Sequence, residues 1–88
     1  MKTNAIRVNP VDNVAVAARE IKMGEPIAVA NGETMTAKEN IPASHKVALE
    51  RIPEGQKILR YGEFIGLAAK NIEAGELVHT HNIKAKES

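Results

Sequence analysis

Three histidines are the side chains of this 88-residue chain that ordinarily titrate near neutrality, and two stand one residue apart in His79-Thr80-His81, followed by Asn82. On a strand, alternate residues share a face, so His79 and His81 would project side by side while Thr80 points away. Such a pair can exchange protons, donate to a carboxylate or hold a metal, although a metal site needs a further ligand from elsewhere. Two surface histidines at the end of a strand satisfy the same spacing. His45-Lys46 opens another apolar stretch, where a lysine beside a histidine suits a carboxylate or phosphate and a solvated strand end is the plainer alternative. Tyr61-Gly62 sets the single tyrosine beside a residue that permits close backbone approach. Its phenol can supply a hydrogen bond, or its ring can fill the core. Asp12 and Asn13 read as turn-capping residues. There is no glycine-rich phosphate loop and no cysteine pair, and Ser44 lacks the strand–elbow–helix setting of a hydrolase nucleophile.

The chain that must position these groups is small. A domain of this size buries only about 60% of the surface its unfolded form exposes, and Tyr61 and Phe64 are its only aromatic residues. The core is therefore aliphatic, a deep enclosing cleft is not expected, and without cysteines no disulfide reinforces the fold. A partner surface is the natural supplement. Twelve Lys and Arg against eleven Asp and Glu, with the signs mixed along the chain, argue against nucleic acid. No stretch approaches the ~20 apolar residues of a membrane span, and the start lacks a secretory h-region. The default location is the cytoplasm.

The phrase Ala-x-x-x-Ile-x-x-Gly-x-x-(Ile/Val) occurs three times: Ala17, Ile21, Gly24, Ile27; then Ala48, Ile52, Gly55, Ile58; then Ala68, Ile72, Gly75, Val78. Offsets of 31 and 20 residues are too uneven for a solenoid. Each copy predicts an entering apolar run, a buried Ile, a tight turn closed by Gly, and a following strand. Asn31-Gly32 predicts a two-residue hairpin turn between Ile27–Val29 and Thr34–Thr36. His45–Leu49, Ile65–Ala69 and Val14–Ala18 predict further short strands. The sum is an all-β domain of short strands, tight turns and single helical turns over residues 1–83, with residues 84–88 as a polar tail or the start of a linker.

Four phrases carry a family likeness: Asp12-Asn13-Val14-Ala15-Val16-Ala17, His45-Lys46-x-Ala48-Leu49, Tyr61-Gly62-x-x-Ile65-Gly66 and Gly75-Glu76-x-Val78-His79-x-His81-Asn82. In this order they resemble the amino-terminal SAF region of altronate/galactarate-type dehydratases, and they span almost the whole chain. The resemblance implies a β-clip fold and a hydro-lyase that converts sugar acids to 2-keto-3-deoxy acids. It also implies a divalent metal, iron by preference, in the complete enzyme, with no cofactor held by this chain alone, and a much larger catalytic domain or subunit as partner. It assigns catalytic roles to His45, His79 and His81 and substrate-binding roles to Lys46, Tyr61 and Asn82. The metal ligands are left unassigned and a homo-oligomer is left open. Sulfolactate sulfo-lyase is similar as a two-chain version. The alternatives are a non-enzymatic SAF module for carbohydrate binding or assembly, and a free-standing metal-binding protein resting on the His-x-His pair.

Overall fold

The computed structural model describes residues 2–30 and 32–85, with the Ala85 side chain excepted. Nine short strands form three antiparallel sheets: β1 (Ala5–Ile6), β2 (Val14–Ala17), β3 (Pro26–Ala28), β4 (Thr34–Thr36), β5 (Lys46–Ala48), β6 (Lys57–Arg60), β7 (Glu63–Ala68), β8 (Leu77–Val78) and β9 (Ile83–Ala85). The sheets run β1-β2-β5-β8, β3-β4 and β6-β7-β9. No helix, and no single helical turn, occurs among the described residues.

The repeated phrase explains this arrangement once a fourth copy is recognised. Ala37, Ile41, Ser44 and Val47 keep the spacing with serine in place of glycine, and Ser44 has φ +68° against +89°, +86° and +92° for Gly24, Gly55 and Gly75. A positive φ at the third position of a turn is the type II signature. Each turn is closed by an i to i+3 bond, in which the N–H groups of Glu25, His45, Gln56 and Glu76 donate to the carbonyls of Lys22, Pro42, Pro53 and Glu73. The copies then pair. Ile21 and Ile41 exchange both backbone bonds, as do Ile52 and Ile72, while Gly24 and Ser44 donate to Ala37 and Ala17, and Gly55 and Gly75 to Ala68 and Ala48. The fold is thus two similar halves that share β5.

Side chains alternate across the four-stranded sheet and feed two cores. Ala5, Ala15, Ala17 and Val47 join Ile21, Ile27, Val29, Ala37, Ile41 and Leu49 in one. Val14, Ala48 and Val78 join Ile52, Ile58, Ala68 and Ile72 in the other. Two asparagines fasten strands in matching ways. Asn4 donates to Pro26 O and accepts from the Ala28 N–H, and Asn13 does the same with Lys57 O and the Leu59 N–H.

The β3–β4 hairpin forms at its expected place with a longer loop. Val29 N–H donates to Glu33 O and Gly32 N–H to Val29 O, leaving three residues between the last pair, with φ +93° at Gly32; Asn31 lies outside the described residues. The two-residue turn with positive φ at both positions is instead Tyr61-Gly62, at φ +57° and +76°, between the paired Arg60 and Glu63. At the other end, β9 carries the ordered sheet to Ala85, beyond the boundary expected at residue 83. Lys84 and Ala85 pair with Leu67 and Gly66, and residues 86–88 lie outside the described residues.

The glycines of the repeat are unequal. A Cβ on Gly24 meets nothing within 4 Å, so Gly24→Ala costs only the left-handed backbone, about 1–2 kcal/mol. A Cβ on Gly75 would lie 2.2 Å from the Thr36 carbonyl oxygen, so Gly75→Ala must also push its turn away from the end of β4. Urea denaturation should show a clearly larger loss for Gly75→Ala. Equal losses would mean that the pairing of halves contributes nothing at that contact.

Candidate functional site

The charged groups of interest meet in a shallow cleft of about 330 Å³ lined by Lys46, Arg60, Ile65, His79, Thr80 and Ile83. Lys46 opens β5, Arg60 closes β6, His79 follows β8 and Ile83 opens β9. His45, one residue before β5, is brought against His79, with ring centroids 4.9 Å apart and planes tilted by 56°. His45 Nδ1 lies 3.0 Å from the Ala43 carbonyl oxygen. A carbonyl only accepts, so Nδ1 carries the hydrogen and the neutral ring keeps its lone pair on Nε2.

Lys46 and Arg60 make the cleft cationic. Burial first, and then the charge of Arg60, hold the Lys46 ammonium below its ordinary 10.5. No carboxylate pairs with Lys46 among the described residues, where the ion pairs are Arg7–Glu33 and Arg51–Glu73. The Arg60 guanidinium lies 4.9 Å from the Tyr61 ring centroid, and its Nε is buried without a hydrogen-bond partner. Two half-buried cations without a counter-charge among the described residues favour an anionic guest.

His79 and His81 do not share a strand face. β8 ends at Val78, and His79–Asn82 is a turn closed by the Asn82 N–H donating to His79 O at 3.0 Å. Asn82 is buried and fully engaged, since its Oδ1 accepts from the His79 N–H at 2.9 Å and its Nδ2 donates to Leu77 O at 2.7 Å. A side-chain amide that satisfies its neighbours' backbone ends the strand early. Asn82 therefore positions His79, and His81 points to solvent outside the cleft.

Tyr61 is half exposed at the tip of the β6–β7 hairpin, so it is no core filler. The turn beneath it is held by Asp12, only 2% exposed, whose carboxylate accepts from the N–H groups of Tyr61 at 2.8 Å, Gly62 at 2.8 Å and Asn9 at 3.1 Å. The turn role expected for Asp12 thus acts across 49 residues of sequence. A larger concavity of about 620 Å³ includes Asp12 and Asn13 in its lining. Both side chains are already spent on backbone groups, so it offers less chemistry than the cationic cleft.

Arg60 and Thr80 join the cleft although their residue types alone did not single them out. Arg60 could have been found by reading Tyr61-Gly62 as a hairpin turn, which places Arg60 at the strand end. Thr80 enters because His79–Asn82 is a turn rather than a strand. For a divalent metal the cleft fits poorly. Among the described residues no group of three or more His, Cys, Asp or Glu side chains could hold an ion, and the His45–His79 pair stands beside two cations.

Comparisons with known proteins bear on what this cleft belongs to. The family model for the altronate/galactarate dehydratase SAF domain matches residues 3–86. Altronate dehydratase of Bacillus subtilis (strain 168) is 40% identical over 83 residues, covering 94% of this chain and 16% of that protein. Galactarate dehydratase (L-threo-forming) of Escherichia coli (strain K12) is 37% identical over 73 residues, covering 83% of this chain and 14% of that protein. The alpha subunit of (2R)-sulfolactate sulfo-lyase from Paracoccus pantotrophus is 46% identical over 52 residues, covering 59% of this chain and 78% of that subunit. The chain thus spans less than a fifth of the dehydratases it matches.

Two outcomes follow from the geometry. Asp12→Ala strips three N–H groups of their shared acceptor and should lower stability by about 2–4 kcal/mol, read as a fall in the denaturation midpoint; an unchanged midpoint would refute the anchor. Lys46, with its folded-state value lowered, binds fewer protons in the native chain than in the unfolded chain just below 10.5. Native stability should therefore rise with pH through that alkaline window. The rise should be smaller in Lys46→Met, and identical pH profiles would show that Lys46 is not held in a desolvated, cationic setting.

Proposed function

This chain belongs to the altronate/galactarate dehydratase SAF-domain family, and from that membership we propose that it is the small domain or subunit of a hydro-lyase acting on sugar acids. Its cleft meets the substrate, and a larger chain completes the reaction centre. The observation that carries the reading is the open cationic cleft, in which Lys46 and Arg60 stand beside two touching imidazoles.

The chemistry needs such groups. A base removes the weakly acidic proton on C2 beside the carboxylate, the electron pair forms a C2–C3 double bond, and the C3 hydroxyl leaves as water after an acid protonates it. The enol then tautomerises to the 2-keto-3-deoxy acid. Lys46, assisted by Arg60, holds the substrate carboxylate and disperses the negative charge that builds on it as the proton departs. His45, with Nδ1 fixed on Ala43 and Nε2 open, and His79, poised on its turn by Asn82, serve as the proton-transfer pair. Thr80 and Tyr61 orient hydroxyls at the rim. His81 stands outside the cleft and has a peripheral part. The divalent metal of the complete enzyme belongs to the larger chain, because the cleft here lacks a ligand set for it. The cytoplasm is the proposed location.

A second reading has its own support in the sulfo-lyase alpha subunit, of which the matched region covers 78%. Two cations accommodate a sulfonate as well as a carboxylate, so the chain would then serve carbon–sulfur cleavage in a two-chain enzyme.

The isolated chain should show no lyase activity, and activity should appear with the larger chain, joined to it or supplied separately. In that assembly Lys46→Met should lower kcat/KM about 10- to 100-fold, the worth of one charged hydrogen bond. Altronate, galactarate and sulfolactate compared as substrates distinguish the two lyase readings. Full activity of the larger chain without this one would refute both. Firm sugar-acid binding by the isolated chain, with no catalytic effect on any partner, would identify a carbohydrate-binding module instead.

A further inference from the structure

The central sheet is covered unevenly. Its ladder places Ile6 opposite Val16, Val16 opposite Lys46 and Lys46 opposite Val78, one row across all four strands. Residues directly opposed in antiparallel pairs share a face. Along this row Val78 is buried within the second core, Lys46 and Val16 are half-buried, and Ile6 is 52% exposed. The β6–β7–β9 layer therefore covers one half of the face, and its cover fails at Lys46. Beyond it the cover thins from the half-buried Val16 to Ile6, 52% exposed, an aliphatic sheet edge of the kind a second layer ordinarily buries.

The β6–β7 hairpin tip, whose Tyr61 ring stacks on Arg60 at the cleft shared with Lys46, is unusual in its own right. Asn-Gly is the preferred sequence for a turn with positive φ at both central residues, yet the chain places Tyr61 there and spends the Asp12 carboxylate on holding it. A left-handed backbone costs a non-glycine residue about 1–2 kcal/mol. That cost presents an aromatic ring outward, 50% exposed. Ile6, Val11 and Tyr61, with Val8, are four of the five large hydrophobic residues exposed on the described surface.

We propose that the thinly covered edge of the sheet face, Ile6 and the part of Val16 left open, together with Tyr61, is the seat of the larger dehydratase chain, which thereby closes over Lys46. The inference rests on the function proposed above and adds which surface the partner takes. The occupant follows from three observations. The dehydratases this chain matches carry more than four fifths of their length outside the matched region. The aliphatic row runs directly into Lys46, so a body seated on Ile6 and Val16 overhangs the cleft. A second copy is disfavoured wherever two-fold pairing sets the Lys46–Arg60 cleft of one copy against that of the other, since like charges oppose that contact. The partner surface is accordingly apolar and flanked by carboxylates.

The test measures association of the full 88-residue chain with the larger chain by calorimetry, alongside lyase activity and amide exchange. Wild type should associate, with new protection at β1 and at Tyr61-Gly62. Ile6→Asp should weaken association roughly tenfold or more, as expected for a central interface residue. Tyr61→Asn should raise the denaturation midpoint of the isolated chain, because it supplies the preferred turn sequence, while weakening association, which separates the interface from folding. Active assembly with both variants binding like wild type would overturn the seat and leave the proposed function standing. Absence of both association and activity in wild type would overturn the function and the seat together. A dimer of the chain alone that Ile6→Asp dissolves would assign the face to a second copy, against the proposal.

Discussion

Everything in this fold depends on four tight turns bonding to one another in pairs through their backbones. A turn that takes φ positive at its third residue frees an N–H that must find an acceptor, and in each pair that acceptor is the carbonyl of the alanine that begins the other copy. The two isoleucines of each pair then exchange their own backbone bonds in the gap between turns, sealed inside an aliphatic core. With strands of two to six residues, the ladders alone would hold little. The paired turns let a chain with two aromatic residues and no disulfide close around two cores.

The same device creates the candidate site. Because β5 belongs to both halves, its first residues lie where the halves meet and where neither fully covers the sheet. Lys46 falls on that boundary, half-buried and with no carboxylate partner among the described residues, beside Arg60 from the end of β6. The turn after β8 brings His79 within ring contact of His45, 34 positions earlier in the chain. Substitution of glycine by serine at position 44, just before His45, shows that this turn tolerates a side chain where Gly75 cannot. Two asparagines and one aspartate, all engaged with backbone groups, keep the rim rigid.

Much of the architecture was legible in the residues. The spacing of Ala, Ile and Gly predicted three of the turns, the apolar segments predicted β2, β5 and β7, and the four ordered phrases pointed to the family that the comparisons show. Three features escaped for identifiable reasons. The fourth repeat was hidden because serine stands where glycine marks the others. The two-residue turn was expected at Asn31-Gly32, where the dipeptide preference is strongest, whereas Tyr61-Gly62 adopts it only because Asp12 arrives from the other end of the chain to accept both N–H groups. His79 and His81 were read by strand alternation, and the local competition of Asn82 for the backbone turned the chain instead.

The sequence by itself determined the class of fold, the three glycine turns of the repeat and the types of group available for chemistry, since these depend on local sterics and on apolar spacing. Tertiary structure alone decided which of those groups meet. It set His45 against His79, added Arg60 and Thr80 to Lys46, turned Asn82 into a brace, left His81 outside and left the Ile6 edge of a sheet face exposed. Such outcomes depend on contacts between residues tens of positions apart, and on which carbonyls and amides are already satisfied, quantities that no short stretch of sequence contains.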